Sequence, residues 1–238
     1  MCIRDRLESN PSAAYTRFAF RPGNRGVAAL FADWRRAMPL GDASLRTFDY
    51  IATPLDALDA SRGAGVRVVR GDAEALQRFY ASRIPHVELD SLRLDAPSLP
   101  GLRAKFARFG LERRRSVYMA VAGEAVVGAA ICNFGPLGSN FSFLENAVEG
   151  LEISPDVPRS LRVAAFRELM AAAARFYRAH GRSLLVATIG PEYADLAKSL
   201  GLVSRKQYTL FTGRNSTEGF VASRECFRRY YRALVLAA

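Results

Sequence analysis

Cysteine, histidine and long apolar runs are scarce in this sequence, and each scarcity excludes a class of protein. The three cysteines, Cys2, Cys132 and Cys226, lie far apart without a Cys-x-x-Cys spacing. They therefore indicate neither a disulfide framework nor a zinc site. The two histidines, His86 and His180, are too few for a histidine-rich metal centre. We expect a protein that binds no metal and works in a reducing, cytoplasmic setting.

No stretch reaches the roughly 18 to 20 consecutive apolar residues that a membrane-spanning helix requires. The nearest stretch, residues 163–177, is interrupted by Arg167, Glu168 and Arg175. The opening sequence MCIRDRLESN lacks the apolar core of a signal peptide, and its first six residues resemble vector-derived sequence, so we exclude them from the fold. We expect a soluble protein.

Positive charge is in excess, with 34 lysines and arginines against 23 aspartates and glutamates and a net charge of +11. A basic surface attracts polyanions such as nucleic acid, anionic lipid or the phosphates of a nucleotide cofactor. Arginine-rich composition also follows from a GC-rich genome, so the charge alone selects none of these partners. The densest run, residues 113–115, is either a solvated face or a contact for phosphate or a carrier protein.

The two ends of the chain are similar to each other. An offset of 193 residues aligns the motif Tyr-Thr-x-Phe at residues 15–18 with the same motif at 208–211, and 8 of 22 ungapped positions are identical. Trp34 falls on Phe227 in this alignment. We predict that residues 11–60 are the tail of a preceding repeat, a strand and a helix followed by a linker, and that the chain belongs to a longer tandem protein.

Apolar periodicity and turn formers from residue 66 onward predict the element order β-α-α-β-β-β-α-β-α-β. A hairpin turns at Gly123, and the strand after it is long enough to need a bulge at Gly150. The predicted strands are residues 66–70, 116–121, 125–134, 141–153, 184–189 and 207–212. The predicted helices are residues 73–84, 102–109, 158–180 and 192–200. The expected fold class is α/β (α+β), a mixed, mostly antiparallel sheet flanked by helices, with an N-terminal strand-helix remnant.

The hairpin motif Gly-Glu-x-Val-Val-Gly at residues 123–128, the long helix after it and the run Leu-x-x-x-Leu-Gly-Leu at residues 196–202 occur in an order that resembles the GNAT superfamily of acyltransferases. The resemblance covers about residues 66–212, and we assign residues 66–238 to this domain. Tandem GNAT folds occur in Fem-type and lysyl-phosphatidylglycerol synthase-like aminoacyl transferases, so the resemblance and the internal repeat agree.

The resemblance implies a splayed sheet. Two parallel strands diverge and leave backbone groups for an acyl-pantetheine arm, and the next helix offers its N-terminal N–H groups to a pyrophosphate. In this sequence the arm would bind along residues 151–154, which include Leu151 and Ile153. The phosphates would bind at residues 158–162, through Arg159, Ser160 and Arg162.

The phosphate loop departs from the family pattern (Arg/Gln)-x-x-Gly-x-(Gly/Ala), because Arg162 stands in place of the central glycine. Two interpretations stay open. Either Arg159 and Arg162 bind the phosphates of acyl-CoA through their side chains, or the backbone cradle is lost. In the second case the donor is an acyl-carrier protein or an aminoacyl-tRNA, or there is no donor at all.

The catalytic residues depart as well. Many members carry a tyrosine three residues before the glycine of the Leu-Gly-Phe motif, and no tyrosine stands at residues 197 or 198. Tyr193, one helical turn earlier, is either a general acid or a packed aromatic. Candidate general bases are Glu145, Glu149 and Glu152, of which we favour Glu145. Period-two alternation places Glu149 and Glu152 on opposite faces of the strand unless a bulge intervenes.

The leading hypothesis is an acyl-group transferase that moves an acyl or aminoacyl unit from a thioester or tRNA donor to an amine by direct attack. The alternative is a catalytically silent GNAT-like module that binds a ligand or a partner. A third hypothesis is a basic domain that docks on nucleic acid or membrane. It draws on the amphipathic, arginine-rich segment 220–236, which either packs against the sheet or lies on an anionic membrane.

Overall fold

The computed structural model describes residues 15–58, 65–92, 94, 104, 107–135 and 146–215. These residues divide into two compact units. The first unit contains the described parts of residues 1–47, 84–93 and 207–238, and the second contains those of residues 48–83 and 94–206. Half of the helix predicted at residues 102–109 and all of the helix predicted at residues 220–236 lie outside the described residues.

The described residues contain eight strands and five α-helices. The strands are β1 Tyr15–Phe20, β2 Ala43–Pro54, β3 Arg67–Arg70, β4 Arg114–Ala122, β5 Ala125–Phe134, β6 Val148–Ile153, β7 Leu184–Ile189 and β8 Ser204–Arg214. The helices are α1 Arg25–Ala37, α2 Ala73–Ala81, α3 His86–Ser91, α4 Arg159–Ala179 and α5 Ala194–Ser199, with 3-10 turns at Leu55–Leu58 and Pro191–Tyr193.

The sheet of the second unit has the strand order β2-β7-β6-β5-β4-β3. Its strands pair antiparallel except for β6 and β7, which pair parallel. The mixed, mostly antiparallel sheet with flanking helices is therefore confirmed. The hairpin is confirmed too, because β4 ends at Ala122 and β5 begins at Ala125.

The long helix α4 covers one face of this sheet. It is rich in alanine, a strong helix former, and its alanine and aromatic side chains form much of the buried core. Contact is close: a Cβ atom on Gly128 of β5 would lie 3.1 Å from Leu169. The helix begins after Pro158 and ends at His180, as the sequence predicts.

Strand β6 contains the predicted bulge. On β5 the partners Ala129 and Ile131 are two residues apart, whereas on β6 their partners Glu152 and Glu149 are three apart. One extra residue on β6 is the mark of a β-bulge. Gly150 lies in this interval with φ of +59°, a left-handed conformation that glycine adopts without steric cost.

The first unit is built around the pairing of β1 with β8. Helix α1 follows β1, and Asn24 caps it by accepting a hydrogen bond from the backbone N–H of Val27 at 3.2 Å. The buried face of α1 places Phe31 and Trp34 against Phe211 of β8, with ring centroids 4.8 and 4.6 Å apart. Aromatic stacking therefore forms the core of this unit.

Three elements differ from the sequence prediction. Strand β2 was not predicted, because its buried side chains Ser44, Phe48 and Ile51 do not follow period-two alternation. The short helix α3 was not predicted either, because Pro85 was interpreted as a stop and instead precedes the first helical residue. Strand β6 starts only at Val148, and residues 141–145 of the predicted longer strand lie outside the described residues.

Candidate functional site

The bulge brings two carboxylates to one face of β6. Glu149 pairs with Ile131 and Glu152 pairs with Ala129, and these two β5 residues project to the same side because they are two apart. Cross-strand partners share a face. Alternation would place Glu149 and Glu152 on opposite faces only without a bulge, and the extra residue of the bulge brings them to the same face. Both carboxylates are buried, each 5% exposed.

Glu149 is held by two hydrogen-bond donors. Arg115 of β4 donates from Nη2 to Glu149 Oε1 at 3.1 Å, and Asn133 of β5 donates from Nδ2 to the same oxygen at 2.7 Å. A buried carboxylate is stable only with such partners. We interpret Glu149 as a structural anion that fixes the bulged strand to its neighbours.

Glu152 forms a pair with Tyr193. The Tyr193 hydroxyl donates to Glu152 Oε2 at 2.8 Å and accepts a hydrogen bond from the backbone N–H of Ile153 at 3.0 Å. Burial, followed by the negative charge of Glu152, raises the pKa of the Tyr193 hydroxyl above its ordinary value of 10.0. Tyr193 therefore keeps its proton at neutral pH and can act as a hydrogen-bond donor.

This pair lies where the two parallel strands separate. Strands β6 and β7 pair at Val148 with Ala187 and at Leu151 with Ile189, where β7 ends. The N–H of Ser154 donates to the carbonyl of Val127 on β5. Because successive N–H groups of a strand point in opposite directions, the N–H of Ile153 points away from β5, into the gap beyond the end of β7. The Tyr193 hydroxyl fills that position.

Tyr80 adds a second hydroxyl at the bulge. It comes from α2 and donates to the carbonyl of Gly150 at 2.5 Å. Burial raises the pKa of Tyr80 well above 10.0, and Glu152 and Glu149 raise it further. The sequence analysis did not single out Tyr80, because it stands among apolar residues at helical spacing with Leu76, a pattern typical of a core residue.

The N-terminus of α4 carries the predicted phosphate-binding residues. Pro158 supplies no side-chain acceptor to the first N–H groups of the helix, and the first turn holds no acidic residue. Arg159 and Ser160 are exposed, and Arg162 is half-buried. The Arg162 Nε atom is buried without a hydrogen-bond partner within the described residues. These features fit a phosphate group, which helix N-termini and guanidinium groups both bind.

The structure brings together only part of the predicted site. Leu151 and Ile153 are buried on β6 beside Glu152 and Tyr193. Glu145, the favoured base, lies outside the described residues. Glu152 instead contacts the predicted acid Tyr193. The sequence signals that indicated this region were the family resemblance and the three glutamates at residues 145, 149 and 152.

Among the residues that the structure describes, no helix is long and apolar enough to cross a membrane.

Comparison with known proteins finds solved structures that are similar to this chain, but no family model or curated protein that matches its sequence. A Drosophila protein of solved structure is 13% identical with a TM-score of 0.48, and the similarity covers 81% of this chain and 58% of that one. A GCN5-related N-acetyltransferase from Kribbella flavida is 16% identical with a TM-score of 0.46, covering 90% of this chain and 76% of that one. A tandem GNAT protein from the clavulanic acid biosynthesis pathway is 14% identical with a TM-score of 0.48, covering 89% of this chain and 68% of that one.

The topology of the second unit itself has the features that the sequence resemblance implies. A hairpin, β4 and β5, precedes the bulged strand β6. Strand β6 and its parallel neighbour β7 separate, and five residues lie between the end of β6 and the start of α4. The second unit therefore has the GNAT-like fold that the sequence motifs predicted, and the expected fold is confirmed.

Proposed function

We propose that the second unit is an acyl-group transferase that moves an acyl unit from acyl-CoA to an amine. The observation that carries the proposal is the hydrogen-bonded pair of Glu152 and Tyr193 at the point where β6 and β7 separate. A carboxylate that can accept a proton and a protonated hydroxyl that can donate one are the two groups that general acid–base catalysis of acyl transfer to an amine uses.

The chain offers partners for a nucleotide-linked donor at the N-terminus of α4. The uncapped N–H groups and the side chains of Arg159, Ser160 and Arg162 would hold its phosphates. When bound, the donor supplies an activated thioester carbonyl. Along β6, Leu151 and Ile153 would border its arm, and Ile153 provides the backbone N–H that points into the gap.

Glu152 is the proposed general base. The amine attacks the carbonyl in its neutral form, and its nitrogen must lose one proton as the amide forms; the carboxylate of Glu152 accepts that proton. Tyr193 holds at Oη the proton that a leaving thiolate requires. Because the two groups share a hydrogen bond of 2.8 Å, a proton taken up by Glu152 can replace one given by Tyr193. The pair therefore ends a cycle in the protonation state in which it began.

A catalytically silent module is the second candidate, and one observation favours it. The Tyr193 hydroxyl accepts a hydrogen bond from the N–H of Ile153, the group that would bind a donor arm. In a silent module this bond is permanent, so a donor arm cannot reach Ile153 even when the phosphates of a ligand bind at α4. The arginine at residue 162 is consistent with the same interpretation, because it removes the glycine through which family members approach phosphate.

The test measures donor binding and thiol release. Isothermal titration with acetyl-CoA examines binding, and release of free thiol is followed with a panel of small primary amines. We expect Glu152→Gln to lower kcat/KM about 100-fold or more, the usual contribution of a general base. Glu168→Gln, on α4 and equally buried, is the matched control and should keep its activity.

Two results would contradict the proposal. Binding of acetyl-CoA without any thiol release across the panel would favour the silent module. No binding at all would exclude acyl-CoA as donor, and an acyl-carrier protein or an aminoacyl-tRNA would become the donor to examine.

A further inference from the structure

The hydroxyl of Tyr193 competes with a donor for one backbone group. Leu151 is the last β6 residue that pairs with β7, and the N–H of Ser154 bonds β5. Between them, the backbone N–H of Ile153 faces the gap. It is bonded to Tyr193 Oη at 3.0 Å. An extended thioester arm lying along β6 would need this same N–H for its own carbonyl oxygen.

We propose that Tyr193 gates the donor cleft: its hydroxyl satisfies the N–H of Ile153 in the donor-free protein, and the arm of an acyl-CoA donor displaces it on binding. This inference rests on the proposed function. It adds that Tyr193 limits donor affinity, in addition to any part it takes in the proton transfer.

The hydrogen bonds of Tyr193 allow such a displacement. Its hydroxyl has two partners, Ile153 and Glu152, and only the first is needed by a donor. When the bond to Ile153 is exchanged, the bond to Glu152 can remain, so the hydroxyl is not left buried without a partner. Burial of an unpartnered hydroxyl or N–H is costly, and the exchange avoids that cost on both sides.

The segment that carries Tyr193 is short and is folded tightly at Gly190. Tyr193 ends a 3-10 turn, Pro191–Tyr193, and its backbone N–H bonds the carbonyl of Gly190 at 2.9 Å. The carboxylate of Glu192 folds back over Gly190, into the space that a Cβ atom at this residue would take.

The variant Tyr193→Phe tests whether the tyrosine hydroxyl competes with the donor arm for the N–H of Ile153. The variant keeps the ring and its packing but removes the acceptor, so the N–H of Ile153 lacks a partner until a donor arm supplies one. We expect its affinity for coenzyme A to rise about tenfold or more, because an unsatisfied buried N–H gains a full hydrogen bond on binding. Adenosine 3′,5′-bisphosphate has phosphates but no arm, and its affinity should not change.

Tyr177→Phe is the matched control. Tyr177 is also a buried tyrosine of the second unit, but its hydroxyl donates to the carbonyl of Asn133, away from the gap. This variant should bind both probes as the unaltered chain does. Titration calorimetry of the two probes against the three proteins gives the complete comparison, and circular dichroism checks that each is folded.

The outcomes distinguish the gate from the proposed function. If coenzyme A binds the unaltered chain and Tyr193→Phe with equal affinity, the gate is wrong and the donor assignment stands. If coenzyme A binds both proteins and binds Tyr193→Phe about tenfold or more tightly, the gate is supported. If neither protein binds coenzyme A, both proposals fail.

A measurement on the unaltered chain does not depend on the variant folding. The amide resonance of Ile153 in a ¹⁵N spectrum should shift on addition of coenzyme A and stay in place on addition of adenosine 3′,5′-bisphosphate. A bisphosphate that moves this resonance as far as coenzyme A does would show that the arm does not contact Ile153, and would overturn the proposal.

Discussion

Phe18 lies directly opposite Phe211 in the antiparallel pairing of β1 with β8. The internal repeat, at an offset of 193 residues, relates the same two residues. The two flanking pairs agree with this: Arg17 faces Thr212 and Ala19 faces Leu210, and the repeat relates Arg17 to Leu210 and Ala19 to Thr212. A local two-fold axis between Phe18 and Phe211 therefore relates β1 to β8, and it matches the same residues that the sequence repeat matches.

This coincidence supports the proposal of a tandem ancestor. A sequence offset and a strand register are independent quantities, and an antiparallel pair could adopt several registers. The strand and helix predicted for residues 15–37 are both present, and α1 buries Trp34. Its repeat counterpart, Phe227, lies outside the described residues, so the comparison of the two helices stays a prediction.

The aromatic core of the first unit predicts a large effect of Phe211→Ala. Phe211 is fully buried and stacks on Trp34, whereas Phe18 is half-buried. We expect a loss of about 3 to 5 kcal/mol in the free energy of unfolding for Phe211→Ala and a smaller loss for Phe18→Ala.

Trp34 is the only tryptophan of the chain, so its fluorescence during urea unfolding reports on this unit. Leu40→Ala, at a fully exposed residue, is the control and should unfold as the unaltered chain does. A loss below about 1 kcal/mol for Phe211→Ala would contradict the described core.

The ion pair of Arg115 with Glu149 predicts a contrast between adjacent arginines. The Arg115 side chain is 16% exposed and bonds a buried carboxylate, whereas the Arg114 side chain is 49% exposed and pairs with the half-exposed Glu112. Arg115→Ala leaves a buried anion with one partner fewer, at a cost of about 3 to 5 kcal/mol in unfolding free energy. Arg114→Ala should cost about 1 kcal/mol or less. Equal losses in urea titrations of the two variants would refute the structural role of Glu149.

The proposed phosphate site at the N-terminus of α4 predicts that phosphate binding weakens when its two arginines are removed. The double variant Arg159→Ala with Arg162→Ala removes two guanidinium groups, each worth about 1.5 to 3 kcal/mol in a charge-assisted contact. We expect weaker titration of both coenzyme A and adenosine 3′,5′-bisphosphate. Arg175→Ala, exposed on the same helix, controls for net charge. If the double variant and the control bind alike, the phosphates do not lie at this helix.

The sequence predicts those parts of the fold that depend on local patterns. Gly123 specifies the hairpin turn, the alanine-rich run specifies α4, and Gly150 specifies the bulge. Each is encoded within a few residues, so alternation and turn chemistry suffice.

The candidate site was predicted less completely, because it depends on long-range contacts. Glu152 and Tyr193 are 41 residues apart and meet only after β6 has bulged and a 3-10 turn has entered the gap. Glu145, the base favoured from the sequence, lies outside the described residues, so its role stays a prediction. The same dependence on long-range contacts applies to β2, whose pairing with β7 joins distant segments.

Three buried tyrosines predict how stability changes with pH. Burial is the largest cause that raises the pKa values of Tyr80, Tyr177 and Tyr193 above the ordinary value of 10.0. The folded protein therefore holds these hydroxyl protons at pH values where the unfolded chain has lost them. Below about pH 9 both states are protonated and the tyrosines have no effect. Above pH 10 unfolding releases protons, so the free energy of unfolding falls as the pH rises.

Each tyrosine contributes a slope of about 1.4 kcal/mol per pH unit above its unfolded pKa. Tyr177→Phe removes one titrating group together with its hydrogen bond to Asn133. The variant should be less stable at pH 8, and its stability should fall less steeply between pH 10 and pH 11 than that of the unaltered chain. Urea unfolding at several pH values measures both quantities. Parallel slopes for the two proteins would show that the Tyr177 hydroxyl titrates alike in the folded and unfolded states, which would contradict its burial.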